Sequence, residues 1–288
     1  MAISRRGFVA GLAAAAAVQP EAGTAPRART GPVLCLDTRL LPDVDYSQLG
    51  TFLNGLGLDG CDLSVEPGGT VLPEQSPVDL VRAIEVISGE GFEVPVITTS
   101  FFSILEPWAR NVLGLSGRSG VTYFRTGYSR FPERLAARRN EIAGLMSYGR
   151  AAEIGMAVPY PAGEALIRDL DPEWIGYDFD TTQGSVEAVL PRLRMVRLRD
   201  ARKDGNRLVA CPLGEGAVDW TAFFGSLARA RFSGPLSVTL TYQAADRLDA
   251  LKRDTAFARQ QLNAAYQKEL EPTSPRPSGG SPAARSRA

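Results

Sequence analysis

Short β-rich runs alternate with helical segments through the middle of this 288-residue chain, and no other feature constrains its fold as strongly. Eight candidate strands fall between residues 32 and 266 at an average spacing of about 29 residues, which suits a repeated strand–helix unit. Helices between successive strands indicate parallel strands, because parallel neighbours need a crossover connection. The candidate strands are Val33–Asp37, Gly60–Val65, Glu93–Thr98, Val121–Arg125, Met156–Tyr160, Ile175–Asp180, Met195–Asp200 and Leu236–Tyr242.

Capping signals support the helices between these strands. Asp45 is suited to the N-cap of a helix that Gly57 ends. Asp219 precedes a helix in which Trp220 and Phe223 begin an aromatic stripe with helical spacing, typical of a buried face. Eight such units can close into a barrel, whereas an open doubly wound sheet usually places a Gly-rich phosphate loop after its first strand. Asp-Thr-Arg-Leu follows the first strand here, so we predict a single-domain (β/α)8 TIM barrel.

Active sites of such barrels lie at the carboxyl ends of the strands, which directs attention to the polar residues there. These residues combine carboxylate, guanidinium and hydroxyl groups, a lining suited to a polyhydroxylated or anionic small molecule. The alternative is that several of them only satisfy one another around the barrel mouth. The ring contains Asp37, Glu66, Thr98, Thr99, Arg125, Tyr160, Asp178, Asp180, Arg197, Arg199, Asp200, Thr241 and Tyr242.

The amino-acid composition excludes several classes of function. The chain contains no His, so Ser-His-Asp triads, Cys-His dyads and His-ligated zinc sites are impossible. Its 32 Lys and Arg residues balance 32 Asp and Glu residues, which argues against a general electrostatic grip on nucleic acid. The three cysteines lack metal-ligand spacing and are expected to be buried structural residues. Lys203 adjoins Asp204-Gly205-Asn206, a turn signal that predicts a solvated hairpin and not a Schiff-base lysine.

The two ends of the chain differ from the middle. Arg5 and Arg6 precede a short apolar run, Phe8–Val18, which is too short to span a bilayer as a helix and resembles a twin-arginine signal. We therefore expect residues 1–31 to be a signal peptide and linker, and the twin-arginine machinery to export the chain to the periplasm or outside the cell, without stable membrane insertion after processing. Residues 32–268 form the predicted barrel. Residues 269–288 are rich in Pro, Ser and Arg and are expected to be disordered.

Several stretches, in order, resemble the sugar phosphate isomerase/epimerase family of xylose isomerase-like TIM barrels. The last third carries the strongest likeness. There a strand, a Pro-Leu-Gly-x-Gly loop, a helix and a further strand follow one another in the same order as in the family. The matching stretches are Asp59–Glu74, Tyr123–Tyr128, Ile175–Thr181, Met195–Asp200, Pro212–Trp220 and Phe232–Val238.

The resemblance implies a divalent metal held by Glu, Asp, His and Glu from strands five to eight, but this chain departs from that pattern. Aligned by motif, the four positions hold Tyr160, Asp180, Arg197 and Thr241, so Asp180 is the only retained ligand position. At about 4 Å two unit charges interact by about 4 kcal/mol at an effective dielectric constant of about 20, so Arg197 should repel a divalent ion strongly. The resemblance implies a divalent metal, but these replacements predict that this chain has lost it. We predict no other cofactor.

Two functional hypotheses follow, both with a carbohydrate ligand, and whether the protein is an enzyme stays open. In the first, an isomerase or epimerase works without the family's metal, with Glu66, Asp178 or Asp180 as acid–base groups. In the second, a non-catalytic barrel binds a sugar, a sugar acid or a protein partner. The ligand-binding candidates are Asp37, Arg125, Tyr128, Tyr160, Arg197, Arg199 and Thr241. Sugar phosphates are scarce outside the cytoplasm, so export favours a free sugar or sugar acid.

Overall fold

A computed structural model describes residues 31–129, 138–205 and 207–270 of the chain. The predicted signal at residues 1–31 and the predicted tail at residues 269–288 lie almost entirely outside the described residues. Within the described part, eight parallel strands close into a barrel and two antiparallel strands form a hairpin. The strands are β1 (Val33–Asp37), β2 (Gly60–Val65), β3 (Glu93–Thr99), β4 (Tyr123–Arg125), β5 (Gly155–Pro159), β6 (Ile175–Asp180), β7 (Leu193–Leu198), β8 (Asp200–Asp204), β9 (Arg207–Cys211) and β10 (Pro235–Val238).

The barrel closes through pairing of the first and last of its strands. The strand order around the ring is β1, β10, β7, β6, β5, β4, β3 and β2, and each neighbouring pair is parallel. The predicted TIM barrel is thereby confirmed. The hairpin of β8 and β9 leaves the barrel after β7, and Gly205 adopts a φ of 57° in its turn. The turn signal at residues 204–206 therefore predicted this hairpin correctly.

Helices cover the outside of the barrel, and their beginnings follow the predicted caps. Asp45 accepts a hydrogen bond of 2.9 Å from the Ser47 amide at the start of a 3-10 turn that continues into the first α-helix. Asp219 accepts one of 2.9 Å from the Ala222 amide and caps the sixth. The α-helices among the described residues are α1 (Leu49–Gly55), α2 (Ser76–Gly89), α3 (Ala109–Arg118), α4 (Arg139–Ala151), α5 (Glu164–Ile167), α6 (Trp220–Arg229) and α7 (Arg247–Leu270).

Residues 181–192, between β6 and β7, contain only short 3-10 turns where the other units carry an α-helix. No helix in the described part of the chain is both long and apolar enough to cross a membrane.

The hydrophobic core lies mainly between the barrel and its helices. Outward-facing strand residues such as Leu34 and Leu36 pack there with Phe223 and Phe224 of α6. Burying side chains of this size stabilises the fold by about 1.5–3 kcal/mol each. Inside the barrel, a second small hydrophobic cluster contains Val96, Ala157 and Met195 from β3, β5 and β7. The barrel interior above this cluster, toward the carboxyl ends of the strands, is polar.

Candidate functional site

A complete layer of the barrel interior is built from polar side chains. Asp62, Arg125, Asp178 and Ser237 point inward from β2, β4, β6 and β10, and all four are fully buried. Alternate strands of a TIM barrel contribute the four side chains of one interior layer, and bulky aliphatic residues usually fill it. We call these four residues the inner ionic layer. Hydrophobic packing of the barrel does not explain why charged and hydroxyl side chains occupy this layer.

Arg125 lies at the centre of the inner ionic layer and contacts carboxylates from three strands. Its Nε donates a hydrogen bond of 2.9 Å to Thr98 Oγ1, and its Nη2 forms a close ion pair with Asp62 Oδ2. The same Nη2 lies 3.5 Å from Asp37 Oδ2, and Nη1 lies 3.8 Å from Asp178 Oδ2. Buried charges persist when they are paired and hydrogen-bonded, and Arg125 meets that condition through several partners.

Asp62 is held by hydroxyl groups as well as by Arg125. Thr98 donates a hydrogen bond of 2.6 Å to its Oδ1, and Ser237 donates one of 3.2 Å to its Oδ2. Burial raises the pKa of Asp62 to about 6, because the favourable charge of Arg125 is opposed by desolvation and by the neighbouring carboxylate of Asp37. Asp62 is therefore protonated more readily than an exposed aspartate.

Five charged residues form a rim above the inner ionic layer: Asp37, Arg39, Asp180, Arg197 and Arg199. Arg39 makes a bidentate contact with Asp37, in which Nε donates a hydrogen bond of 2.8 Å to Oδ1. Arg199 Nη1 donates one of 2.6 Å to Asp180 Oδ2, and Arg197 Nη1 lies 3.8 Å from the same oxygen.

Two further contacts tie the rim to its surroundings. Arg197 Nε donates a hydrogen bond of 2.9 Å to Asp178 Oδ1 and so joins the rim to the inner ionic layer. Arg199 Nε lies 3.4 Å from Thr241 Oγ1, which accepts its hydrogen bond in the loop after β10.

The guanidinium groups determine the ionisation of the rim carboxylates. Burial alone would raise the pKa of Asp180, but Arg197, Arg199 and the Thr182 hydroxyl and amide outweigh it and lower that pKa. Arg39 and Arg125 lower the pKa of Asp37 against the same desolvation. Burial would lower the pKa of Arg197, yet Asp178 and Asp180 raise it. Both rim carboxylates are consequently ionised near neutral pH, and their guanidinium partners stay charged.

The cations of the rim are more accessible than its anions. The side chains of Arg39, Arg197 and Arg199 are 23%, 14% and 30% exposed, whereas those of Asp37 and Asp180 are each 4% exposed. A molecule that enters the mouth therefore meets guanidinium N–H donors first. The carboxylates lie behind these donors and already accept hydrogen bonds from them.

The structure brings together seven of the ten residues predicted for the site. The seven are Asp37, Arg125, Asp178, Asp180, Arg197, Arg199 and Thr241. Glu66, just beyond β2, is buried and close enough to raise the pKa of Arg39 together with Asp37 and Asp62.

Tyr160 and Tyr128 lie apart from this cluster. The Tyr160 ring packs against Tyr177 and Phe179, with ring centroids 5.3 and 5.9 Å away. These two residues alternate with the inward-facing aspartates of β6, so they lie on its outer face. The buried Tyr128 donates a hydrogen bond of 3.2 Å to the Phe102 carbonyl and lines a separate cavity of about 590 Å³. The role of both tyrosines in ligand binding stays a prediction.

Sequence reasoning did not assign Asp62 or Arg39 to the site. Asp62 lies in the middle of β2 and not at its end, where barrel sites were sought. Its signal was the period-two series of Asp62, Ser64 and Glu66, which places three polar residues on one side of a strand. Arg39 follows Asp37 by two residues in a 3-10 turn, a spacing that brings its guanidinium back to the Asp37 carboxylate.

The donor set of the mouth differs from that of a metal site. Among the described residues, no three Asp, Glu or Cys side chains are grouped so that they could hold a metal ion. Guanidinium nitrogens lie 2.9 Å from an Asp178 oxygen and 2.6 Å from an Asp180 oxygen. These nitrogens occupy the places from which a metal cation would bind the two carboxylates.

Asp200 organises the loop that borders the mouth. Its carboxylate accepts hydrogen bonds from the backbone amides of Ala201, Gly214, Gly216 and Val218. It also accepts one of 2.9 Å from the indole N–H of Trp220. Five donors on one buried carboxylate fix the chain between β9 and α6, so Asp200 holds the scaffold of the site while Arg199 faces its interior.

No family model matches the sequence, and a comparison with curated proteins found no match. Solved structures do match. One is described as the structure of L-ribulose 3-epimerase, with 14% identity, a TM-score of 0.62, and coverage of 85% of this chain and 100% of that one. An IOLI protein with a bound zinc atom has 12% identity, a TM-score of 0.61, and coverage of 83% and 99%.

A third match is a xylose isomerase-like TIM barrel protein from Mycobacterium smegmatis in complex with magnesium. It shares 15% identity and a TM-score of 0.58, with coverage of 78% of this chain and 92% of that one. At these identities the likeness concerns the fold. The chain has the fold of the xylose isomerase-like TIM barrels, among whose solved members are sugar epimerases.

Proposed function

We propose that the barrel mouth binds a sugar or sugar acid through its guanidinium groups, with the metal site of the fold family largely lost. One observation carries the proposal: the exposed donors of Arg39, Arg197 and Arg199 stand over carboxylates that they already pair. Such a surface recognises a small polar ligand by hydrogen bonds from fixed cations.

The same pairing argues against a divalent ion at this position. Asp178 and Asp180 are the inward-facing carboxylates of β6, and each would have to release a guanidinium to bind a metal. The ion would then lie within a few ångströms of Arg197 and Arg199, whose charges repel it. A hard divalent cation also needs several oxygen ligands in a defined geometry, and these two carboxylates do not supply them.

The structural neighbours support a carbohydrate as the ligand. Among them are an L-ribulose 3-epimerase and a D-allulose 3-epimerase, each of which this chain matches over more than 80% of its length. The mouth described above occupies the end of the barrel at which enzymes of this architecture bind their substrates.

Metal-free isomerisation is the second candidate, because the structural neighbours include epimerases. It would use Glu66, Asp178 or Asp180 as the acid–base group. Arg197 and Arg199 lower the pKa of Asp180, which makes that carboxylate a weak base. Asp178 is fully buried beneath Arg197. These features favour binding over proton transfer.

Two measurements on the purified protein test the proposal. Metal analysis should find no stoichiometric divalent metal, and Mn²⁺ or Co²⁺ should leave the melting temperature unchanged. A panel of sugars and sugar acids should contain ligands that raise it, since a ligand at 100 times its Kd stabilises by about 2.7 kcal/mol. A stoichiometric metal whose removal abolishes ligand binding would contradict the proposal.

Incubation of the protein with aldoses and ketoses in D₂O separates the two candidates. Binding alone leaves the sugar protons unexchanged. Deuterium at the carbon next to the carbonyl, lost in at least one of Glu66→Gln, Asp178→Asn and Asp180→Asn, would identify the protein as a metal-free isomerase.

We also propose that residues 1–31 direct export by the twin-arginine machinery. The paired Arg5 and Arg6 before the apolar run Phe8–Val18 support this assignment. A reporter fused to residues 1–31 should reach the periplasm, and replacement of both arginines by Lys should retain it in the cytoplasm. Export that persists in the Lys variant would contradict this route.

A further inference from the structure

We infer that the ligand of the mouth carries a carboxylate, which Arg197 and Arg199 bind together. This inference rests on the proposed function and narrows it from sugars in general to sugar acids. Arg197 and Arg199 are two residues apart at the end of β7, so both side chains point to the inside of the barrel. Their Nη1 atoms lie 3.8 and 2.6 Å from one oxygen of Asp180, so the two guanidinium groups converge on one place.

Both guanidinium groups retain unused donors toward the mouth. Arg197 donates its hydrogen bond to Asp178 through Nε, and Arg199 donates through Nε to Thr241 and through Nη1 to Asp180. The Nη2 groups of both arginines have no acceptor among residues 31–129, 138–205 and 207–270. Each free Nη2 group can donate to one oxygen of a ligand carboxylate, so the two arginines together can hold both of its oxygens.

The chemistry of the rim favours an acceptor-only group. A hydroxyl group at Arg197 and Arg199 would accept their hydrogen bonds, but its own hydrogen would also need an acceptor. Asp37 and Asp180 are the rim carboxylates, and they are 4% exposed and already paired with arginines. A carboxylate brings two acceptor oxygens and no hydrogen, so it uses the free donors without leaving a group unsatisfied.

The inner ionic layer lies below the proposed carboxylate site and takes no part in it. Arg125 Nη1 and Asp178 Oδ2 are buried, lie 3.8 Å apart and have no hydrogen-bond partner among the described residues. Buried polar atoms in native proteins are normally hydrogen-bonded. Neither atom is accessible from the mouth, and they interact with each other only as an ion pair. They lie below Arg197, which contacts the other Asp178 oxygen, so a ligand meets the guanidinium groups of the rim and not this layer.

The test compares matched ligands by calorimetry on the full-length protein. The pairs are glucose with gluconate, galactose with galacturonate and xylose with xylonate, and glucose 6-phosphate distinguishes a phosphate from a carboxylate. We expect at least one acid to bind about tenfold or more tightly than its neutral partner, and its affinity to fall as NaCl is raised. Acetate alone should bind weakly, because it lacks the hydroxyl groups.

Variants locate the effect. Arg199→Gln should weaken acid binding about tenfold or more, and Arg199→Lys should restore only part of it, because an ammonium group lacks the fork. Arg202→Gln removes an equal charge from the exposed hairpin and should leave binding unchanged. Unfolding curves of each variant verify that it is folded. Should Arg197→Gln unfold, Arg199→Gln still decides the matter.

Each outcome separates this inference from the proposed function. If the neutral sugar binds as tightly as its acid, or if Arg199→Gln leaves acid binding intact, the carboxylate inference is wrong and the proposed carbohydrate site stands. Preference for the sugar phosphate over every carboxylate also overturns the inference. If no sugar or sugar acid binds, both are wrong.

Discussion

The barrel interior contains two neighbouring layers of opposite chemistry. Val96, Ala157 and Met195 form a hydrophobic cluster inside the barrel, whereas the inner ionic layer holds Asp62, Arg125, Asp178 and Ser237. Both are buried to the same degree. The hydrophobic layer stabilises the fold by removing apolar surface from water, and each side chain contributes largely on its own. In the ionic layer each charge depends on its partners, so the layer is tolerated as a set and damaged by the loss of one member.

The largest effect should follow from removal of the central cation. Arg125→Met leaves Asp62 and Asp178 buried without their cationic partner. We expect the free energy of unfolding to fall by about 3–5 kcal/mol. Urea denaturation at pH 7.5 measures this loss. A loss below about 1 kcal/mol would show that the layer does not depend on its cation.

The same variant should recover on acidification. Burial raises the pKa of Asp62 and Arg125 opposes that rise, so without Arg125 the folded pKa lies further above the unfolded value and stability falls as the pH rises through this range. The deficit should accordingly be smaller at pH 5 than at pH 7.5. Adding Asp62→Asn should restore part of the stability at pH 7.5, because one of the unpaired charges is then absent.

A smaller and pH-independent effect should follow from a change in the hydrophobic layer. Met195→Ala leaves a cavity inside the barrel and should lower the free energy of unfolding by about 2–4 kcal/mol. Urea denaturation should give the same loss at pH 5 and pH 7.5, because no ionisable group changes its partners. A loss that differs by more than about 1 kcal/mol between the two would mean that the layers are coupled.

The smallest effect concerns the rim. Arg197 and Arg199 lower the pKa of Asp180 below its ordinary value of 3.8, so their interaction stabilises the fold fully above that value and is lost as the pH falls through it toward the folded pKa. Asp180→Asn should therefore reduce the acid-induced loss of stability between pH 5 and pH 3 by about 1 kcal/mol. Unfolding curves across this range measure it.

An exposed acid provides the control for this experiment. Glu85→Gln, on the exposed face of α2, should leave the pH profile within about 0.5 kcal/mol of the unchanged protein. An identical slope in Asp180→Asn and the unchanged protein would show that the rim pairs do not control acid stability.

The sequence predicted the fold well because polar residues at or just after the strand ends indicate where several strands stop. Val33–Asp37 is an apolar run that ends in Asp37, and Glu66 directly follows Gly60–Val65; the structure has strands with the predicted bounds at both places and at Ile175–Asp180. Met195–Asp200 was placed less well, since β7 spans Leu193–Leu198 and Asp200 begins the hairpin. Its basic residues interrupt the apolar pattern that marks other strands, so the pattern alone could not locate the boundary.

Part of the residue cluster was predicted; Tyr160 was placed on the wrong face of the barrel and Asp62 was missed, each for its own reason. A strand has a period of two, so a shift of one residue moves a side chain to the opposite face. Strand five was expected to end at Tyr160, but β5 ends at Pro159, and the Tyr160 ring packs on the outer face of β6. Asp62 was missed because the search covered the strand ends and not the layer beneath them.

Arg199 and Asp200 are consecutive residues with separate duties, which has a practical consequence for protein engineering. The first faces the interior of the barrel, and the second anchors the loop between β9 and α6 through five hydrogen bonds. Inserting or deleting a residue at the end of β7 would exchange these duties and disrupt both. Selectivity should therefore be redesigned by substitution at residues 197 and 199, with the chain length kept constant.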